Sequence, residues 1–185
     1  VLISQVDSQY LREMQTYQRV VYQRNHLLKS VRARHSNPAE LDYWDGQLLT
    51  TGRYILERRV ETVAELNELC SLVHGELTDD GVILKMSYAP TMDLDPGGVL
   101  EGELARAIES GRDRDVAAGF TAAGPHRDDL RIQLNGMDAG TYASRGQCRS
   151  AVLAMRLGEA RYLAVRRGQE PVLLLDDVLS ELDGS

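Results

Sequence analysis

A chain of 185 residues that is 43% hydrophobic and 26% charged, with a net charge of −7, has the make-up of a globular protein long enough to bury its own core. No apolar run reaches the ~20 residues that cross a bilayer, and polar residues follow Val1-Leu2-Ile3 where a secretory signal would continue. Cys70 and Cys148 stand far apart without metal-site companions, so no membrane span, disulfide framework or zinc module is expected and the expected compartment is cytoplasmic.

The acidic total hides a basic segment. Within residues 1–35, Arg12, Arg19, Arg24, Lys29, Arg32 and Arg34 are set against only Asp7 and Glu13. From Tyr10, the residues Tyr10, Met14, Tyr17, Val21, Leu28 and Val31 recur in steps of four and three, which predicts a long amphipathic helix with Arg24 breaking its seam. Its basic residues Arg12, Arg19, Arg24 and Lys29 read either as a solvated face or as a stripe that tracks nucleic-acid phosphates. Ser36-Asn37-Pro38 stops this helix and starts another, since proline suits the first helical turn. The second pattern runs from about Ala39 to about Leu77 through Leu41, Leu48, Ile55, Leu66 and Val73, with Gly52 as a point of interruption. Two long helices joined by a short turn predict an antiparallel hairpin, whose apolar face needs a third element to cover it.

Val82 to Tyr88 then alternates as a strand, with Leu84, Met86 and Tyr88 on one face. Residues 89–99 hold Pro90, Pro96, Gly97 and Gly98 and read as a loop. A short helix is expected from about Leu100 to Glu109, followed by a charged connection from Arg112 to Asp115. Asp129 to Leu134 alternates into Asn135-Gly136, a strong hairpin signal. A helix is expected from Gln147 to Arg166, and the leucines after Pro171 predict a buried strand to Leu175. The organisation that follows is mixed α/β: a helical arm over residues 1–115, with its strand near 82–88, and the edge of an α/β head over 116–185.

Two stretches bear on chemistry. Ala143-Ser144-Arg145-Gly146-Gln147 puts a hydroxyl and a glycine at a helix start, which suits an anion held on free N–H groups and equally suits an ordinary serine cap. Leu173-Leu174-Leu175-Asp176-Asp177 ends a leucine run in two acids, which suits either a tight turn or a hard-cation site. In Gly124-Pro125-His126-Arg127-Asp128, His126 reads as a catalytic base or as a brace at the entry to the next strand, and Cys148 as a small core residue.

In this order and at this spacing, "GPHRDDLRI" (124–132), "SRGQ" (144–147) and "LLLDDVLSELD" (173–183) resemble the RecF family of SMC-like ATP-binding cassette ATPases. "QRN" (23–25), "WD" (44–45) and "GRDRDVAAGFTAAG" (111–124) resemble that family's arm and re-entry segments, so the resemblance covers nearly the whole chain. It implies a portion of an ABC/SMC-like ATPase head with an inserted helical arm. It implies ATP and Mg²⁺ as cofactors, with Asp176 on the metal and Asp177 on the attacking water. Ser144, Gly146 and Gln147 would meet the γ-phosphate held by the other protomer of an ATP-dependent homodimer, with Ser180 and Asp183 in the D-loop across the same interface. It further implies weak ATPase activity, binding to double-stranded DNA and to single-strand/double-strand junctions, action with RecO and RecR in loading RecA, and a place in the SOS response. No GxxxxGK[ST] phosphate loop occurs, so an internal fragment is expected, inactive alone. The rival readings are another SMC-like repair ATPase, expected to carry a longer coiled coil, a transporter's ATPase subunit, expected to lack such an arm, and a binding module without catalysis.

Overall fold

The computed structural model describes residues 1–78, 81–92 and 100–173. A 3-10 turn at Ile3–Gln5 leads into α1 (Ser8–Arg32), which Asp7 caps by accepting the Tyr10 N–H at 2.8 Å. Asn37 and Glu40 form a capping box around the 3-10 turn Pro38–Glu40, and α2 (Leu41–Leu77) follows directly. Then come β1 (Leu84–Ala89), α3 (Leu100–Ala118), β2 (Asp129–Leu134), β3 (Met137–Asp138), α4 (Ala139–Tyr142) and α5 (Arg145–Arg167). The chain divides into two compact units that interleave in sequence, residues 3–60 with 89–129 and residues 61–88 with 130–185. An arm over 1–115 followed by a head over 116–185 does not describe this division.

The first unit is built on the expected hairpin. Asp7 contacts Arg58, Tyr10 contacts Arg59, Tyr17 lies against Gly52, and Arg24 contacts Asp45, so α1 and α2 run antiparallel. Gly52 does not interrupt α2. A Cβ there would sit 3.0 Å from Leu104 and 3.2 Å from the Tyr17 ring, so the glycine admits two neighbours to the helix surface. Leu104 belongs to α3, which is the third element the hairpin required. α3 is longer than expected: residues 112–115 are helical, because Arg112 and Asp115 face opposite charges on α2 and α1. At the far end, the Arg32 guanidinium donates to the Ala117 and Ala118 carbonyls, meeting the negative end of the α3 dipole.

In the second unit β1, β2 and β3 form one sheet in that order, with β2 and β3 antiparallel in the register Gln133 to Asp138 and Leu134 to Met137. Asn135 and Gly136 take φ of 49° and 80°, the left-handed pair that a two-residue hairpin turn requires. Leu84 and Met86 are buried on one face of β1, whereas Tyr88 is only partly covered. The Met86 N–H donates to the Asn67 side chain of α2 at 2.7 Å. α2 and α5 approach closely where Gly158 meets Cys70, and burial pushes the Cys70 thiol up to about 11. Residues 171–173 are not strand, and the rest of the predicted strand to Leu175 lies outside the described residues.

Candidate functional site

The start of α5 is where the structure allows an anion. Asp138 caps α4, and Ala143 and Ser144 are extended before the helix begins. Ser144 Oγ accepts the Gln147 N–H at 3.2 Å, and Gln147 Oε1 accepts the Ser144 N–H at 2.9 Å, which closes a capping box. The hydroxyl is thus an N-cap, and it remains exposed. The N–H groups of Arg145 and Gly146 have no acceptor among the described residues. A Cβ on Gly146 would meet only Ser144 Oγ, at 4.0 Å, so this chain's own packing gives no reason for a glycine there. Cys148 is half-buried, with its thiol toward the Ala139 and Ala143 carbonyls. Asp176, Asp177, Ser180 and Asp183 lie outside the described residues. Among the described residues no group of three or more His, Cys, Asp or Glu could hold a metal.

A second constellation gathers four of the short motifs into one unit. Arg24 is fully buried. Its Nε donates to Asp45 at 2.6 Å, and its Nη1 donates to Asp115 at 2.7 Å and to the Thr121 hydroxyl at 2.9 Å. Arg112 donates to the other Asp45 oxygen at 2.6 Å and also reaches Asp42. Asn25 accepts from both the N–H and the hydroxyl of Thr121, and Asp115 accepts the Ala122 N–H. Arg24 is therefore removed from the candidate DNA contacts: its charge is spent inside the protein, and the break it seemed to make in the α1 seam is an internal ion pair.

The same network fixes the loop from α3 to β2. His126 donates from Nε2 to the Thr121 carbonyl at 3.1 Å, and its Nδ1 stands 3.0 Å from the Tyr17 hydroxyl, which donates to it. Burial lowers its pKa below the ordinary 6.5, which the Thr121 bond opposes in part. Both nitrogens are committed, so His126 is a brace. Gly124, at φ 120°, sits where a Cβ would be 2.5 Å from the Tyr17 oxygen. Arg127 lies 5.0 Å over the Phe120 ring, and Asp128 accepts from the Thr91 N–H and hydroxyl. Sequence reasoning missed Tyr17 and Thr121 as parts of this network. An apolar seam position and a threonine in a loop carry no signal of partners so distant along the chain.

Arg12, Arg19 and Lys29 are exposed on α1. No protein-family model matches the chain. It is 42% identical to the "DNA replication and repair protein RecF" of Chloroflexus aurantiacus over 99% of its own length, and 41% identical to that of Moorella thermoacetica over 98%. A solved structure described as the recombination mediator protein RecF-ATP in the RecFOR pathway superposes with a TM-score of 0.90 at 30% identity, covering 99% of this chain.

The chain is related to RecF.

It spans about half the length of these RecF relatives: 48% and 47% of the two proteins and 49% of the solved chain. A second RecF structure, with ATPrS, gives a TM-score of 0.88. The fold is accordingly that of part of an ABC/SMC-like ATPase, mixed α/β with long helices. No described helix is long and apolar enough to cross a membrane.

Proposed function

We propose that this chain supplies the arm, the signature helix and the magnesium-side acids of a RecF-like DNA-repair ATPase. The observation that carries the reading is the start of α5, where an exposed serine cap, two unengaged N–H groups and an uncrowded glycine occur in a chain related throughout its length to RecF. Such an end holds phosphate oxygens with partial positive charge and directed donors. Ser144, Gly146 and Gln147 meet the γ-phosphate of ATP bound by a second protomer, so ATP joins a homodimer. Ser180 and Asp183 line the same junction as the D-loop. Asp176 offers the hard oxygen that Mg²⁺ prefers, and Asp177 orients and deprotonates the attacking water. Mg²⁺ would neutralise phosphate charge there. Turnover is slow, because an aspartate reaches one methylene less far than a glutamate. Hydrolysis needs a phosphate loop, which these residues do not contain. The assembled protein binds double-stranded DNA beside single-stranded gaps and acts with RecO and RecR in loading RecA, in the cytoplasm.

Ser144→Arg in the full-length protein tests the trans assignment. ATP-dependent dimerisation, followed by size-exclusion chromatography, should be lost, while ATP affinity of the monomer changes less than about twofold. Lost monomer affinity would instead put Ser144 beside its own protomer's nucleotide.

A further inference from the structure

We infer that the solvent face of α1 is a polynucleotide track, on which Arg12, Arg19 and Lys29 hold phosphates while the Tyr22–His26 pair stacks on an unpaired base. This rests on the nucleic-acid reading above and adds the surface, and the aromatic pair on it, that would meet the DNA. At about 100° per residue, Arg12, Gln15, Arg19, Tyr22, His26 and Lys29 fall within roughly 100° of arc, opposite the buried Tyr10, Tyr17, Arg24, Leu28 and Val31. All six are exposed, and no exposed residue of α1 is acidic. Glu13, the helix's one carboxylate, lies on the inner arc near Tyr54.

Arg53 pairs with Glu57 and Glu101, Arg156 with Glu159, Arg161 with Glu76 and Arg166 with Glu65, whereas Arg19 and Lys29 have no carboxylate partner among the described residues. Lys85, Arg131 and Arg145 are exposed without a carboxylate partner among the described residues as well; what sets the α1 face apart is that its cations share one arc with no exposed acid on the helix. In a chain of net charge −7, a helix face about 25 Å long that holds cations without carboxylates is complementary to a polyanion. It also carries an exposed aromatic ring: Tyr22 is 61% exposed, with the His26 ring against it at a 60° tilt and ring centroids 4.7 Å apart. Gln15, Gln18, Arg19, Tyr22 and Gln23 line a shallow groove of about 390 Å³, so amide donors surround the ring. A duplex hides its base faces, so an exposed ring between phosphate-binding cations selects a strand with an unpaired base.

The test is fluorescence anisotropy on a blunt duplex, a tailed duplex and a single strand at several salt concentrations. Arg19→Gln and Lys29→Gln should each lower the slope of log affinity against log salt by about 0.7 on the single strand and about 0.9 on the duplex. Tyr22→Ser should weaken the single strand and the tailed duplex by roughly 5- to 100-fold, leaving the blunt duplex and the salt slope unchanged, and Tyr22→Phe should restore binding. Arg156→Gln on α5 serves as the control and should change nothing. If the unaltered protein binds DNA and the α1 variants match it, the track is elsewhere and the nucleic-acid reading stands. No binding by the unaltered protein at low salt would remove that reading and the track together. A lowered melting temperature with unchanged DNA affinity in the Arg19 and Lys29 variants would mean that this face packs on protein, which also overturns the inference.

Discussion

His126 has each ring nitrogen engaged by a different partner: Nε2 donates to the Thr121 carbonyl, and in the neutral ring Nδ1 receives the Tyr17 hydroxyl proton. Protonation would put a hydrogen on Nδ1 and turn the Tyr17 hydroxyl from donor to acceptor, in a site that burial makes costly for charge. The unfolded chain takes up this proton near the ordinary 6.5, and the folded chain only at lower pH. Stability should therefore fall as pH drops below about 6.5 and stop falling once the folded ring is also protonated. The urea midpoint measured from pH 7.5 to pH 5 checks this. His126→Gln keeps a donor for Thr121 and should flatten that part of the profile, whereas an unchanged pH dependence would place the titrating group elsewhere. Asp7 has the opposite sign. Burial would raise its pKa, but the Tyr10 N–H, Tyr54 and Arg58 together hold it below the usual carboxylate value, so its contribution is present at neutral pH and is lost only in acid.

At the scale of elements, the second unit depends on how near α5 comes to α2. A Cβ on Gly158 would lie 2.5 Å from Cys70 Sγ and 3.2 Å from the Cys70 Cα and N, so the two helix backbones meet there with no room for a methyl group. Gly158→Ala should cost about 1–3 kcal/mol and lower the melting temperature by roughly 2–4 °C for each kcal/mol. Adding Cys70→Ala should recover only part of this, since the backbone contact remains; full recovery would show that the sulfur alone was in the way. Periodicity made most elements legible: the α1 and α2 hairpin, the Asn135-Gly136 turn and the α5 start all stand where their apolar spacing and cap residues put them. It failed at 112–115 for one physical reason. Charge was read as exposure, whereas Arg112 and Asp115 satisfy their charges against Asp45 and Arg24, which are distant along the chain. Arg24 was misread in the same way. In the candidate site, the serine cap and glycine at 144–147 were legible as a pair, but whether they serve an anion or only the helix was not, because both uses share one geometry.

For the whole molecule, the proposed chemistry divides between two neighbouring acids that differ in what they touch. Asp176 is assigned to Mg²⁺, which would neutralise phosphate charge at the proposed junction of two protomers. Asp176→Asn in the full-length protein should therefore weaken Mg²⁺-dependent nucleotide binding and ATP-dependent dimerisation together. Asp177 is assigned to the attacking water alone, so Asp177→Asn should bind ATP and dimerise as before yet hydrolyse more slowly by about 10²–10⁴-fold, the usual loss with a general base. In the proposed cycle hydrolysis would release the ATP-joined pair, so that variant should accumulate as dimer. Phosphate release measured beside size-exclusion chromatography on both variants separates the roles. If Asp177→Asn bound ATP poorly and turned over what it bound at the normal rate, the two assignments would be exchanged. If it changed neither quantity, the second acid would be no more than a turn residue, and the base would have to come from another part of the assembled protein.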